Sequence, residues 1–423
     1  MTARQFFLRA LLALAILLAM LASFNWLVNP IRLFTAPDIP GFNAYKTSFF
    51  LDTFVSKPYI VSRDSPDAVI LGTSRAGASL RTEHPGWSGY RVYNFALPGT
   101  TALIQWRNFQ HASASGELRL AVVSLDFLMF NSCNDQGLQP HFRTYLERLR
   151  GGDSTNWEYA QRTLADYLTQ LTSWSTSQAS WSTIRSQQLF GAGKPGAMYL
   201  RADGFWQSFH AAGARQRKAF QAAEKRYMRN GWFPAPLHCF ELEVDGRVSQ
   251  LDHLRRLMEQ AYRQKTRLIL YFSPFHARFA EAMHSAGLWP QFEQLKRQVV
   301  QMNTELAAQY QAELYKLWDF SGYNSITTEA VPALNDTGTK MRYFFDGTHS
   351  TPATGTLVQD VIFAVQSGAE QAPADFGKRL QLDNIETVLA QDRAARLVWM
   401  NTHPQDVQEI TALEDSSPRA SGQ

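Results

Sequence analysis

Val69-Ile70-Leu71-Gly72-Thr73-Ser74-Arg75 is a run of branched apolar residues that halts at a glycine and then offers a hydroxyl. Such a run reads as a short buried strand, with the glycine as the turn that ends it. The strand so predicted covers residues 67–71, and residues 91–95, 119–125, 267–272 and 313–318 repeat the pattern. Between these runs, residues 101–113, 251–263 and 292–310 carry apolar side chains at helical spacing. Strands that alternate with helices predict an α/β fold with a central parallel sheet and helices on both faces.

The 423 residues are 45% hydrophobic, 13% aromatic and 18% charged, enough apolar material for a large core. The formal charge of +4 is too small and too dispersed for a nucleic-acid-binding surface. Two cysteines allow neither a disulfide-dense scaffold nor a multi-cysteine metal cluster. The ten histidines form no His-Glu-x-x-His or His-x-His pattern, so no metal site is predicted. Gly191, Gly193 and Gly196 spell a dinucleotide loop, but Pro195 lies inside it and no strand leads in. A flexible loop is the better reading, and with no Walker-type loop elsewhere no cofactor is expected.

No charged side chain lies between Arg9 and Arg32, and residues 10–28 are almost wholly apolar. About twenty such residues, at about 1.5 Å each, cross a hydrocarbon layer of about 30 Å. Arg4 and Arg9 precede the run, which places the N-terminus in the cytoplasm and exports the rest. A cleaved signal peptide is the competing reading; against it stand the length of the run and the poor small-x-small pattern around residues 19–23. The expected organisation is a single-pass inner-membrane protein with an anchor at residues 1–32, a linker at 33–66 and a domain in the periplasm or otherwise outside the cytoplasm. In that oxidising setting Cys133 and Cys239 either form a disulfide or remain two separate buried thiols.

The α/β core is expected to run over residues 67–136 and 237–402, with a flexible polar tail at 403–423. Residues 137–236 break the alternation and read as a mainly helical insertion without a strand. Its Trp157, Trp174, Trp181 and Trp206 are expected to serve packing rather than to present rings to a carbohydrate.

Ser74 follows a predicted strand at the sheet edge where α/β folds bind ligands, and is a candidate nucleophile or else a helix cap. Phe345-Asp346-Gly347-Thr348-His349 precedes a helix predicted over residues 351–366. There Asp346 can orient one ring nitrogen of His349 and leave the other free to take a proton, the base that a serine hydroxyl needs at neutral pH. The alternative is an Asp-Gly turn with an exposed histidine. Arg75 is a candidate for a substrate carboxylate or phosphate, or for a surface ion pair. His276, in Ser273-Pro274-Phe275-His276, either contacts substrate or bonds to backbone, and Asp126 either caps a helix or holds the Ser74 loop.

The serine after the first strand and the Asp-x-x-His element near the end resemble those of the SGNH/GDSL hydrolase superfamily, with Gly72-Thr73-Ser74 in place of Gly-Asp-Ser. More specifically, the chain resembles the membrane-anchored bacterial branch, which includes relatives of alginate O-acetylation proteins and of the D-alanine transfer protein of teichoic acid. The resemblance spans residues 67–130 and 266–368 and omits the insertion. It implies a flavodoxin-like three-layer α/β/α fold and a triad of Ser74, His349 and Asp346. It also implies an oxyanion hole built from the Ser74 amide, Gly99 after the second strand, and an asparagine after the third. A Gly-x-Asn element is missing there: Ser124-Leu125-Asp126-Phe127 occupies the region, with Asn131 a few residues on as a further candidate contact. An absent donor costs about 2.7–4 kcal/mol of transition-state stabilisation. The implied activity is that of a serine esterase or O-acyltransferase on an envelope or secreted polysaccharide. Its partners would be the membrane, an acylated glycan and a membrane acyl-donor protein. A non-catalytic relative that binds glycan or scaffolds a polysaccharide-modifying complex is the alternative.

Overall fold

Strands β1 (Ala68–Leu71) and β3 (Leu120–Leu125) bury every side chain, as parallel strands covered on both faces must. The computed structural model describes residues 2–46, 52–134, 136–137, 139–151, 156–191, 193, 197–209, 212–229, 237–240, 242, 248–368 and 370–415. Parallel to β1 and β3 run β2 (Val92–Asn94), β6 (Arg267–Phe272) and β7 (Lys316–Asp319), and β8 (Lys378–Arg379) closes one edge antiparallel. The sheet order is β2-β1-β3-β6-β7-β8. In register, Ala68 pairs with Val92 on one side and with Leu120 on the other. The remaining strands, β4 (Met198–Leu200) and β5 (Trp206–Ser208), form an antiparallel hairpin.

Alternation along the strands divides the core in two. Val69, Leu71, Ala121, Val123, Leu268 and Leu270 join one cluster, with Phe109 of α4 (Ala102–Ser115), Leu257 of α9 (Gln250–Gln264) and Val299 of α11 (Trp289–Gln309). Ala68, Ile70, Leu120, Val122 and Ile269 join the other, with Ala76 of α3 (Ser74–Ser79) and Leu357 and Ile362 of α12 (Pro352–Phe363). Helices therefore cover both faces. Because β1 is flanked by β2 and β3, the chain reverses its direction of winding there, and a crevice opens beyond the carboxyl ends of the strands.

The other helices are α1 (Ala3–Val28), α2 (Thr53–Asp64), α5 (Pro140–Leu146), α6 (Asn156–Thr172), α7 (Trp174–Gly191), α8 (Ala214–Arg229), α10 (Ala277–Ser285), α13 (Ile385–Thr402) and α14 (Pro404–Asp415). α1 has a mean hydropathy of 2.3 over its most apolar window and is long and apolar enough to cross a membrane.

The structure departs from the sequence reading at several places. The expected linker contains α2, whose Phe54, Ile60 and Val61 sit in the first core cluster. The insertion is not wholly helical: the Asn94 amide donates to the Asp203 carbonyl of the β4–β5 turn at 2.8 Å, so the turn covers the open edge of β2. Gly204 in that turn has φ +81°, and a Cβ there would lie 2.2 Å from the Asn94 carbonyl oxygen. Of the four tryptophans expected to pack, only Trp206 is buried. The expected tail contains α14, where Asp406 pairs with Arg217 at 2.9 Å; residues 416–423 lie outside the described residues. Gly191 ends α7 and Gly193 follows at φ +60°, while Gly196 is also outside the described residues. Cys133 and Cys239 are joined in a disulfide across 106 positions.

Two contacts lock α3 against α12. Gly355 lets the helices meet so closely that a Cβ would lie 1.9 Å from the Ser79 carbonyl oxygen. Gln359 of α12 brackets Arg81, accepting from its amide at 3.1 Å and donating to its carbonyl at 2.7 Å. Gly355→Ala is therefore expected to cost about 1–3 kcal/mol of stability through overpacking. Thermal unfolding checks this; an unchanged midpoint would contradict the close approach.

Candidate active site

The turn after β1 requires glycine. Gly72 has φ +150°, and a Cβ on it would come within 2.6 Å of Ser124 Cβ on β3. Its carbonyl accepts from Leu97 at 3.0 Å and from Gln105 Nε2 at 3.2 Å, tying the loops after β1 and β2 together. The next residue, Thr73, is the N-cap of α3, accepting from the Arg75 amide at 3.3 Å and donating its hydroxyl to Asp126. With capping performed by Thr73, the half-buried Ser74 hydroxyl is left for another partner.

That partner is His349. Ser74 Oγ lies 2.9 Å from His349 Nε2, and His349 Nδ1 lies 2.9 and 3.1 Å from the two Asp346 oxygens. Asp346 Oδ1 also accepts from the Thr348 amide at 2.7 Å, the Thr348 hydroxyl at 2.9 Å and the His349 amide at 2.9 Å, so the loop curls around its own carboxylate. Burial pushes the Asp346 carboxyl up, but the His349 ring and the Thr348 donors outweigh it and hold the group well below the usual carboxylate range. An ionised Asp346 keeps the proton on Nδ1 and leaves Nε2 to accept from Ser74.

Thr73, Ser74, Gly99, Asp126, Tyr227 and His349 are among the residues lining one cleft. Its free volume of about 40 Å³ holds only two or three waters, the size of a short acyl group. Gly99, at φ +63°, faces open space. Neither its amide nor that of Ser74 has a hydrogen-bond partner among the described residues.

Arg75 also lines the cleft. It is buried, pairs with Asp126 at 3.3 Å, and lies over the rings of Phe275 and Phe279 at 5.4 and 5.2 Å. Asp126 thus holds both Thr73 and Arg75 and stands at the end of β3 where an asparagine donor was sought. Asn131 does not line the cleft; its Oδ1 accepts from the Cys133 amide at 2.9 Å in the turn leading to the disulfide.

His276 likewise does not line the cleft. Its Nε2 donates to the Glu329 carbonyl at 2.7 Å, its Nδ1 accepts from the Arg278 amide at 3.1 Å as the cap of α10, and burial pushes the ring down to about 4. Its backbone amide donates to the Gly347 carbonyl at 3.0 Å, so it braces the Asp346–His349 loop from beneath.

Three positioning residues escape a sequence reading. Asn94 donates to the carbonyls of Ala76 and Leu80 at 3.1 and 3.0 Å, fastening α3 to the end of β2. The fully buried Lys57 ammonium donates to the carbonyls of Asn94, Ala96 and Gly204 at 2.8, 2.8 and 2.9 Å, and burial pushes it well below its usual range. Tyr227 reaches the cleft from α8 and faces Thr348 and Arg75; burial pushes its phenol up. Among the described residues no cluster of His, Cys, Asp and Glu is suited to a metal ion.

No protein-family model matches the chain, and no curated protein is significantly similar to it.

A depressed folded-state value means that Asp346 contributes stability that is complete above the unfolded-chain value of about 3.9 and is lost as pH falls through the folded-state value. The difference in unfolding midpoint between wild type and Asp346→Asn, taken at about pH 5, should narrow below about pH 4. A gap that persists or widens in acid would contradict the assignment.

Proposed function

We propose that this chain is a membrane-anchored, exported serine esterase or O-acyltransferase of the SGNH type, acting on acyl esters of an envelope or secreted polysaccharide. The observation that carries the reading is the 2.9 Å approach of Ser74 Oγ to His349 Nε2, backed by Asp346. The order of the parallel strands, counted within the sheet as 2-1-3-4-5, is that of flavodoxin-like folds and supports a three-layer α/β/α assignment. The Cys133–Cys239 disulfide supports export, because such bonds persist in oxidising compartments. The narrow cleft supports a short acyl group.

In this reading Ser74 Oγ attacks the ester carbonyl carbon while its proton passes to His349 Nε2. The tetrahedral oxyanion is met by the amides of Ser74 and Gly99, whose hydrogens are unengaged among the described residues. Asp346 stabilises the imidazolium, which then protonates the departing alcohol as the carbon–oxygen bond breaks and an acyl-serine remains. Water or a sugar hydroxyl, deprotonated by the same nitrogen, releases the acyl group and restores Ser74. Asp126, tied to Thr73 and Arg75, takes no part in proton transfer. Arg75 is the one permanently cationic side chain among the cleft-lining residues. Its guanidinium is already paired with Asp126 at 3.3 Å, which fixes it at the wall of the cleft.

The full chain in detergent, mixed with p-nitrophenyl acetate, should release a burst of nitrophenol approaching one equivalent per chain. Ser74→Ala should abolish the burst and lower turnover by about 10⁴-fold or more. Equal rates for the two proteins would sink the proposal. Unaltered glycan binding by Ser74→Ala, with no acyl-serine detectable by mass spectrometry in wild type, would favour the scaffold alternative.

A further inference from the structure

Helices α6 and α7 are built inside out for contact with water. Their fully buried side chains are all polar, Asp166 of α6 and Thr176, Ser180, Thr183 and Gln187 of α7, while Tyr159 and Tyr167 of α6 pack half-buried against Ile31, Leu33 and Tyr59. Asp166 pairs with Arg148 at 2.6 Å and accepts from the Tyr59 hydroxyl at 2.7 Å. The side chains turned outward include Trp157, Leu164 and Leu168 on α6 and Trp174 and Trp181 on α7, with 51–75% of their surface exposed. Positions 157, 164 and 168 share one helical face, as do 174 and 181. A helix in water shows the opposite pattern, and an apolar surface of this extent marks an interaction site.

The same helices grip α1. Asn25 donates to the Leu171 carbonyl at 2.9 Å and to Ser177 Oγ at 3.1 Å, and accepts from Ser180 Oγ at 2.9 Å. Polar side chains bridging helices in this way are a device of membrane-associated bundles. From Ala3 to Met20 every residue of α1 is exposed, about 27 Å of helix, close to the thickness of a hydrocarbon layer. Beyond that stretch α1 becomes buried against α6 and α7, and Trp26 stands exposed at the same level as Asn25. The apolar faces of α6 and α7 are thus fastened where α1 would leave the membrane. Arg185 adds a guanidinium 4.9 Å over the Trp181 ring, a cation–aromatic pairing suited to the phosphate level of a bilayer.

We propose that α6 and α7 lie on the outer interface of the lipid bilayer, with Trp157, Leu164, Leu168, Trp174 and Trp181 among headgroups and upper acyl chains. The inference rests on the reading of α1 as a membrane anchor. It makes the insertion a second foothold that fixes the orientation of the domain, and so the facing of the Ser74 cleft, relative to the membrane.

The test uses the full chain in vesicles of phosphatidylcholine and phosphatidylglycerol. The native cysteines are paired, so a nitroxide can be attached to one introduced thiol at a time: Leu164→Cys, Leu168→Cys, Trp181→Cys, Leu12→Cys on α1, or Leu397→Cys on the exposed face of α13. All five side chains lie on the outside of the folded chain, so the fold tolerates the labels. The ratio of collisions with oxygen, which concentrates in lipid, to collisions with a water-soluble nickel chelate should be several-fold higher at 164, 168 and 181 than at 397, and highest at 12. A high ratio at 12 with the ratio of 397 at the three insertion sites would overturn the proposal and leave the anchor standing. Shielding of those sites from both reagents would also overturn it, in favour of a protein partner or a second copy. An aqueous ratio at 12 would remove the anchor itself.

Discussion

A hydroxyl and an imidazole 275 positions apart in sequence meet at 2.9 Å, and most of the ordered polar contacts on the carboxyl edge of the sheet serve that meeting. Ser74 is placed by a glycine turn that no larger residue fits, by a threonine that takes over the helix cap, and by Asn94, which binds the carbonyls of α3. His349 is placed by a loop wound around the carboxylate of Asp346 and braced through the amide of His276. The contact of Gly355 with Ser79 then joins the two halves helix to helix. Each half is locally satisfied, so the distance between them is set by rigid elements rather than by mobile side chains, as preorganised chemistry requires.

The sheet was legible because β1, β3 and most of β6 are continuous apolar runs, as strands covered on both faces are. Ser74, Asp346 and His349 were legible because they stand at a strand end or in a compact local motif. Asn131, a candidate contact, lies away from the cleft, and His276, left between substrate and backbone, takes the backbone partner, for one reason. Polarity at the correct sheet edge does not reveal whether a group faces the crevice or the backbone, and the partner of His276, the Glu329 carbonyl, is 53 positions away. Lys57 was invisible because a lysine beside a serine and a proline reads as surface, whereas three carbonyls brought from β2 and the hairpin pay for its burial. Strands of two or three residues, such as β8 and β4, carry too little periodicity to be seen at all.

Trp206 packs as expected, whereas Trp157, Trp174 and Trp181 of the insertion are exposed, on a different ground. A reading that assigns large aromatics to packing expects apolar buried positions, whereas the fully buried side chains of α6 and α7 are polar. The insertion also supplies Tyr227 to the cleft and covers the edge of β2, so it links the region around α1 to the chemistry instead of decorating the fold.

The central claim is that Ser74 is an activated nucleophile. Its most direct test is treatment of the full-length chain with a fluorophosphonate, followed by peptide mass spectrometry. The account predicts one phosphonyl adduct, on Ser74, that disappears in a folded His349→Gln variant. A native chain that remains unlabelled, or carries the adduct on another residue, would contradict it.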